Sequence, residues 1–199
     1  MEIIKKLMIL ESAKLRGEIR TIVRDITDIF KKENDGEFYL PNDLRDNEEE
    51  YSFPKFNLQV ELVLEQSDDV DDFIINAELY RDEGVIAVLI IYNPENKTKI
   101  TYNLIGELNE IIAHELRHIY QQTFGTHNID VEEPEDPFEY YTQPHELDAQ
   151  VAGFKRMSQI TKRPFEDVVR NWFKTHKNFH NLNDDQAEKV IKMILNYKN

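Results

Sequence analysis

Apolar residues in the first part of the chain recur at steps of three and four: Leu15, Ile19, Ile22, Ile26 and Ile29, with Arg, Asp and Lys between them. That is the period of a helix with one buried stripe, so residues 2–33 are expected to be helical, stopped by Asn34-Asp35-Gly36. The acidic stretch 41–54, bounded by Pro41 and Pro54, has the composition of a loop. The pattern then shortens to a period of two. Leu58, Val60, Leu62 and Leu64 alternate with polar neighbours across Phe56–Glu65, and Phe73–Tyr80 is a shorter, less regular strand candidate. Val85–Tyr92 is an almost unbroken apolar run, as expected of a strand covered on both faces. Asp82-Glu83-Gly84 and Asn93-Pro94-Glu95-Asn96 carry turn chemistry.

Beyond residue 100 the helical period returns. Asn103 is a candidate cap for a helix over 104–124, ended by Gly125. A second acidic loop is expected over 125–142, which contains Pro134 and Pro137. Helices then follow near 143–160, 164–175 and 184–197, the last with Val190, Ile191 and Ile194 as its apolar stripe. Strands first and helices afterwards predict an α+β fold rather than alternating βαβ units. The 199 residues are enough for one domain with a real core, spanning 1–199, and neither an internal repeat nor a low-complexity tract interrupts them.

Composition narrows the class of partner. With 24 basic against 39 acidic residues the net charge is −15, a field that repels nucleic-acid phosphates and is compatible with a peptide or protein substrate. The acidic loops 41–54 and 125–142 give a motive for a bias toward basic peptides. There is no cysteine, so neither disulfides nor thiolate metal sites enter the chemistry. The apolar stretch Leu7–Leu10 is too short for a signal-peptide core and no long apolar span occurs, so neither secretion nor membrane insertion is expected. A cytoplasmic location is the resulting expectation.

One motif states a reaction. Residues 114–118 read His114-Glu115-Leu116-Arg117-His118 within the second predicted helix, 104–124. Two imidazoles four residues apart lie some 40° apart on one helix face and can share a zinc ion, while a glutamate beside the first can serve as general base on an activated water. Glu115 falls within the apolar arc of Leu104, Leu108, Ile111, Ile112, Leu116 and Ile119, where an unpartnered carboxylate would cost several kcal/mol, roughly. A catalytic zinc needs a third protein ligand, and the stretch Tyr140–Gln150 offers three: His145, Glu146 and Asp148. Glu146 shares its helix face with Ala149, Gln150 and Gly153, small or polar side chains that allow close approach to the first helix, and is the expected ligand. His145 is the alternative, and Asp148 reads as a cap or as an acceptor behind the ligands. A donor for the developing oxyanion is also required; Tyr140, Tyr141, His127, His176 and His180 are available, with Tyr141 favoured for its closeness to the third ligand. His176 and His180, four apart, lack any supporting pattern for a second metal pair.

His-Glu-x-x-His followed by a glutamate on the next helix resembles the gluzincin branch of zinc metallopeptidases. The wording His114-Glu115-Leu116-Arg117-His118-Ile119-Tyr120-Gln121, with Pro144-x-Glu146-x-Asp148-Ala149 later, is similar to small phage-associated zincin-like peptidases. This resemblance covers about residues 85–155. It implies a zincin-like fold, with a helix-borne active site under a small mixed or antiparallel sheet, zinc held by His114, His118 and Glu146, and Glu115 as general base. Where many gluzincins place an aspartate four residues after the ligand glutamate, to support the first histidine, this chain has Gln150. The expected function is therefore zinc-dependent peptide hydrolysis. The alternative is a non-catalytic protein that keeps a zincin scaffold for binding or assembly.

Overall fold

The stripe of Ile19, Ile22, Val23, Ile26, Ile29 and Phe30 is buried along a single long helix, α1 (Glu2–Lys32), as the three-and-four spacing requires. The carbonyls that follow its last turn are satisfied from elsewhere. Lys97 Nζ donates to the Glu33 carbonyl and to Asn34 Oδ1, and the Tyr92 hydroxyl donates to the Asn34 carbonyl. Those bonds close off a helix end that would otherwise leave acceptors bare. The computed structural model describes residues 2–41, 51–53, 56–80, 82–124 and 134–197. Residues 42–50, most of the first predicted loop, and 125–133, with Gly125 and His127, lie outside them.

The chain divides into two compact units, Met1–Ile112 and Ala113–Asn199. The first is α1 with a sheet. Strands β1 (Gly36–Leu40), β3 (Phe56–Gln66), β5 (Val85–Tyr92) and β4 (Phe73–Tyr80) lie in the order β1-β3-β5-β4, and β2 (Tyr51–Phe53) pairs with the start of β3. The sheet is mixed: β3 and β5 run parallel, while β1–β3 and β4–β5 are antiparallel. Val60, Leu62 and Leu64 stand beside Ile86, Val88 and Ile90 across the parallel pair, and all six are buried on one face. The other face is only partly covered. Ala87, Leu89 and Ile91 are half-buried there, so the apolar run of β5 reflects its central position in the sheet rather than equal cover on both sides. Two short strands, β1 and β2, escaped the sequence reading. β1 is too brief for a periodicity, and β2 occupies part of the stretch read as loop 41–54.

Helix α2 (Lys97–Phe124) begins well before the expected cap at Asn103. Asn93 caps a 3-10 turn over Pro94–Asn96, its side chain accepting from the Glu95 N–H at 3.0 Å, and that turn runs directly into the helix. Asn103 is an exposed interior residue. Residues 97–112 of α2 belong to the first unit and 113–124 to the second.

The second unit is otherwise α3 (Pro137–Thr142), α4 (Pro144–Thr161), α5 (Phe165–Thr175), α6 (Lys177–His180) and α7 (Asp184–Asn196). Helix α3 falls inside the predicted loop 125–142. Asp136 caps it by accepting from the Phe138 N–H at 2.8 Å, and Pro137 takes the first helical position, where no donor is needed. Leu147, Val151, Phe154, Val168, Val169, Trp172 and Phe173 form a core with Leu182, Val190, Ile191 and Ile194. The molecule is thus α+β, and no helix among the described residues is long and apolar enough to cross a membrane.

Candidate metal centre

The first half of α4 is buried on every side: His145, Glu146, Leu147, Asp148, Ala149, Gln150 and Val151 are all buried. Four of these seven are polar or charged, which a core tolerates only where each has a partner or a task. Glu146 sits in the first turn, where the helix dipole favours an acid. Facing it, His114 and His118 project from one side of α2, their rings edge to face at 4.8 Å.

Three donor atoms converge. His114 Nε2 and His118 Nε2 are 3.0 Å apart, His114 Nε2 lies 3.4 Å from Glu146 Oε2, and His118 Nε2 lies 3.3 Å from Glu146 Oε1. Tetrahedral zinc with bonds of about 2.0–2.1 Å separates its ligand atoms by about 3.3 Å, so the triangle has the size such an ion needs. Among the described residues this is the group of histidine and acidic side chains able to hold a metal. Glu146 Oε2 is buried and makes no well-formed hydrogen bond, leaving a lone pair for a cation. Burial alone would raise the Glu146 carboxyl, but hydrogen bonds and charge from His114 and His118 outweigh it and hold the group well below the usual carboxylate range. Burial likewise pulls the His118 imidazole down, and Glu146, Glu115 and Gln121 together raise it above its ordinary value. Glu146 and His118 are therefore tuned by the charges around them, as in a site built for a shared cation or proton.

The remaining candidates sort by position. Glu115 is buried beside the triad, close enough for its charge to act on both His118 and Tyr140. His145 stands at the edge: its Nε2 is 3.4 Å from Glu146 Oε1 and its ring 5.9 Å from that of His118. Asp148 turns to α2, bonded by Arg117 Nε at 2.7 Å and Nη2 at 3.1 Å and by Gln121 Nε2 at 3.0 Å. Neither amide atom of Gln150 has a hydrogen-bond partner among the described residues, so support of His114 does not come from there.

Of the two neighbouring tyrosines, Tyr140 is the one directed to the cluster. Burial, followed by the charges of Glu146 and Glu115, raises its hydroxyl far above the usual phenol range and keeps it protonated beside Glu146. Tyr141 packs its ring against Phe173 at 6.1 Å and His180 at 6.4 Å, in the helical core. His180 is committed to structure: Nε2 donates to the Phe173 carbonyl at 2.9 Å and Nδ1 accepts from the Leu182 N–H at 3.0 Å. With both ring nitrogens engaged, His180 is no metal ligand. His176 stacks on Trp172 at 4.7 Å. No family model, curated protein or solved structure matches this chain. Sequence reasoning passed over Gln121 and Arg117. Their offsets were a usable signal, since Gln121 lies three residues after His118 and four after Arg117, where helix neighbours meet.

Proposed function

We propose that the protein is a zinc-dependent peptidase in which His114, His118 and Glu146 hold the ion and Glu115 is the general base. The observation that carries this reading is the convergence of two imidazole nitrogens and a carboxylate within 3.0–3.4 Å of one another, with a second buried carboxylate alongside. Zinc at such a site supplies a Lewis acid for the scissile carbonyl and an acidified water. Glu115 takes the proton of the attacking water and returns it to the leaving amine. Tyr140, kept protonated beside Glu146, supplies a donor next to the third ligand. A purely structural metal site needs no base, and the burial of Glu115 beside the triad favours catalysis over the alternative of a binding or assembly protein on the same scaffold. The substrate class is peptide, with no role for nucleic acid.

The test is a general peptide library incubated with the zinc-loaded protein and with Glu115→Gln. Glutamate-dependent cleavage is expected, the variant losing about 10²–10⁴-fold in rate while keeping its zinc. Zinc retained by both proteins without any cleavage that Glu115→Gln abolishes would instead establish the binding module.

A further inference from the structure

The carboxamide of Gln121 has one chemically permitted orientation. Its nitrogen lies 2.8 Å from the His145 carbonyl oxygen and 3.0 Å from Asp148 Oδ2. Both groups only accept, so the NH₂ end must face them; the reversed amide would set oxygen against oxygen twice. The amide oxygen is thereby directed at His118 Nδ1, 3.0 Å away. Since that oxygen cannot donate, the contact is a hydrogen bond only if Nδ1 carries the proton. A neutral imidazole protonated at Nδ1 has its lone pair on Nε2, the atom turned toward His114 and Glu146.

The anchor of this amide is itself anchored. Asp148 receives two hydrogen bonds from Arg117, whose guanidinium lies 4.7 Å from the Tyr120 ring centroid. Gln121 is 0% exposed, and each side-chain bond it makes leads either to His118 or to the start of α4. A fully buried amide is costly unless satisfied in this way, and a helix stitch alone would not require its oxygen to meet a ring nitrogen of the centre.

We propose that Gln121 is a positioning residue for the metal centre. By accepting from His118 Nδ1–H it decides which ring nitrogen offers a lone pair, and by donating to His145 and Asp148 it holds the α4 turn that carries Glu146 against α2. The inference rests on the metal-binding reading given above. A carboxylate behind a ligand histidine fixes the tautomer and adds negative charge; this amide fixes the tautomer and adds none.

Long-range proton–nitrogen correlation spectra of isotope-labelled, metal-free protein, taken where the ring is neutral, read the tautomer directly. His118 is expected as the Nδ1–H form in the wild type. Gln121→Leu should release the ring to the Nε2–H form and weaken zinc binding about 10–100-fold in competition with a chromophoric chelator. Gln121→Glu keeps an acceptor at His118, and should retain the Nδ1–H form while losing the donor to Asp148 and melting at lower temperature. A merely structural Gln121 would lower both melting temperatures and leave the tautomer untouched. An Nε2–H ring in the wild type overturns the inference, as does a leucine variant with the Nδ1–H ring and wild-type zinc affinity. The wild-type spectrum requires neither zinc nor cleavage, so failure of the peptidase reading and failure of this inference are told apart.

Discussion

At the scale of single residues, the two tyrosines at the α3–α4 junction make the sharpest contrast. Tyr140 directs its hydroxyl at Glu146, whereas Tyr141 buries its ring among Phe173 and His180. Tyr140→Phe should leave the fold intact and weaken zinc binding by about tenfold, the scale of losing a polar group beside a ligating carboxylate. Tyr141→Ala should do the reverse, keeping zinc affinity while costing about 3 kcal/mol of stability for a deleted aromatic ring. Calorimetric zinc titration and urea unfolding of each variant separate the two effects; weakened zinc binding confined to the Tyr141 variant would exchange their roles. The triad was legible in sequence because one helix fixes the offset of His114, Glu115 and His118, and because the small face around Ala149 and Gly153 singled out Glu146. Tyr140 was not, because the bend between α3 and α4 decides which adjacent ring looks inward, and no periodicity encodes a bend. Asp148, expected as a cap or as an acceptor behind the ligands, accepts from Arg117 and Gln121.

At the scale of elements, strongly periodic segments were readable to within a residue or two. β4 and β5 match the predicted ranges, and α4, α5 and α7 fall close to theirs. The misses lie where tertiary partners set the ends. α2 starts at Lys97 because the Asn93-capped turn feeds it, and the side chain of the same Lys97 closes the end of α1. Two measurements test elements of the helical unit. Asn183 and Gln186 form a reciprocal capping box at the start of α7, so Asn183→Ala should cost about 1 kcal/mol in urea unfolding, and an unchanged midpoint would contradict that role. His176, stacked on Trp172, is held below its ordinary value, chiefly by burial. The unfolded chain then binds a proton at this position at higher pH than the folded chain does. The His176 contribution is accordingly full above the unfolded pKa of about 6.5 and is lost as pH falls toward the lowered folded value. Relative to wild type, His176→Phe should show a flatter loss of stability below about pH 6.5, followed through the single tryptophan, Trp172. Parallel curves for the two proteins would contradict it.

At the scale of the whole molecule, the order of patterns, strands before helices, was enough for the α+β class. The strand order β1-β3-β5-β4 was not legible, since a parallel β3–β5 pair with β4 outside it depends on which edges meet, not on any local repeat. The group of His114, His118 and Glu146 lies wholly within the second unit, joining residues 113–124 of α2 to α4. A cation bound there stabilises the native chain by mass action, about 4 kcal/mol at a thousandfold excess over its dissociation constant. Zinc should therefore slow amide exchange in α4 and in residues 113–124, and a chelator should reverse it. Exchange in those segments that ignores zinc would mean the ion binds elsewhere.

The most direct measurement is X-ray absorption at the zinc edge of protein loaded with excess zinc and then dialysed, alongside its zinc content. One zinc per chain with two imidazoles and carboxylate oxygen in its first coordination sphere is expected, and His118→Ala should abolish that retention. No stoichiometric zinc, a third imidazole from His145 in the coordination sphere, or retention indifferent to loss of His118 would contradict the centre described above.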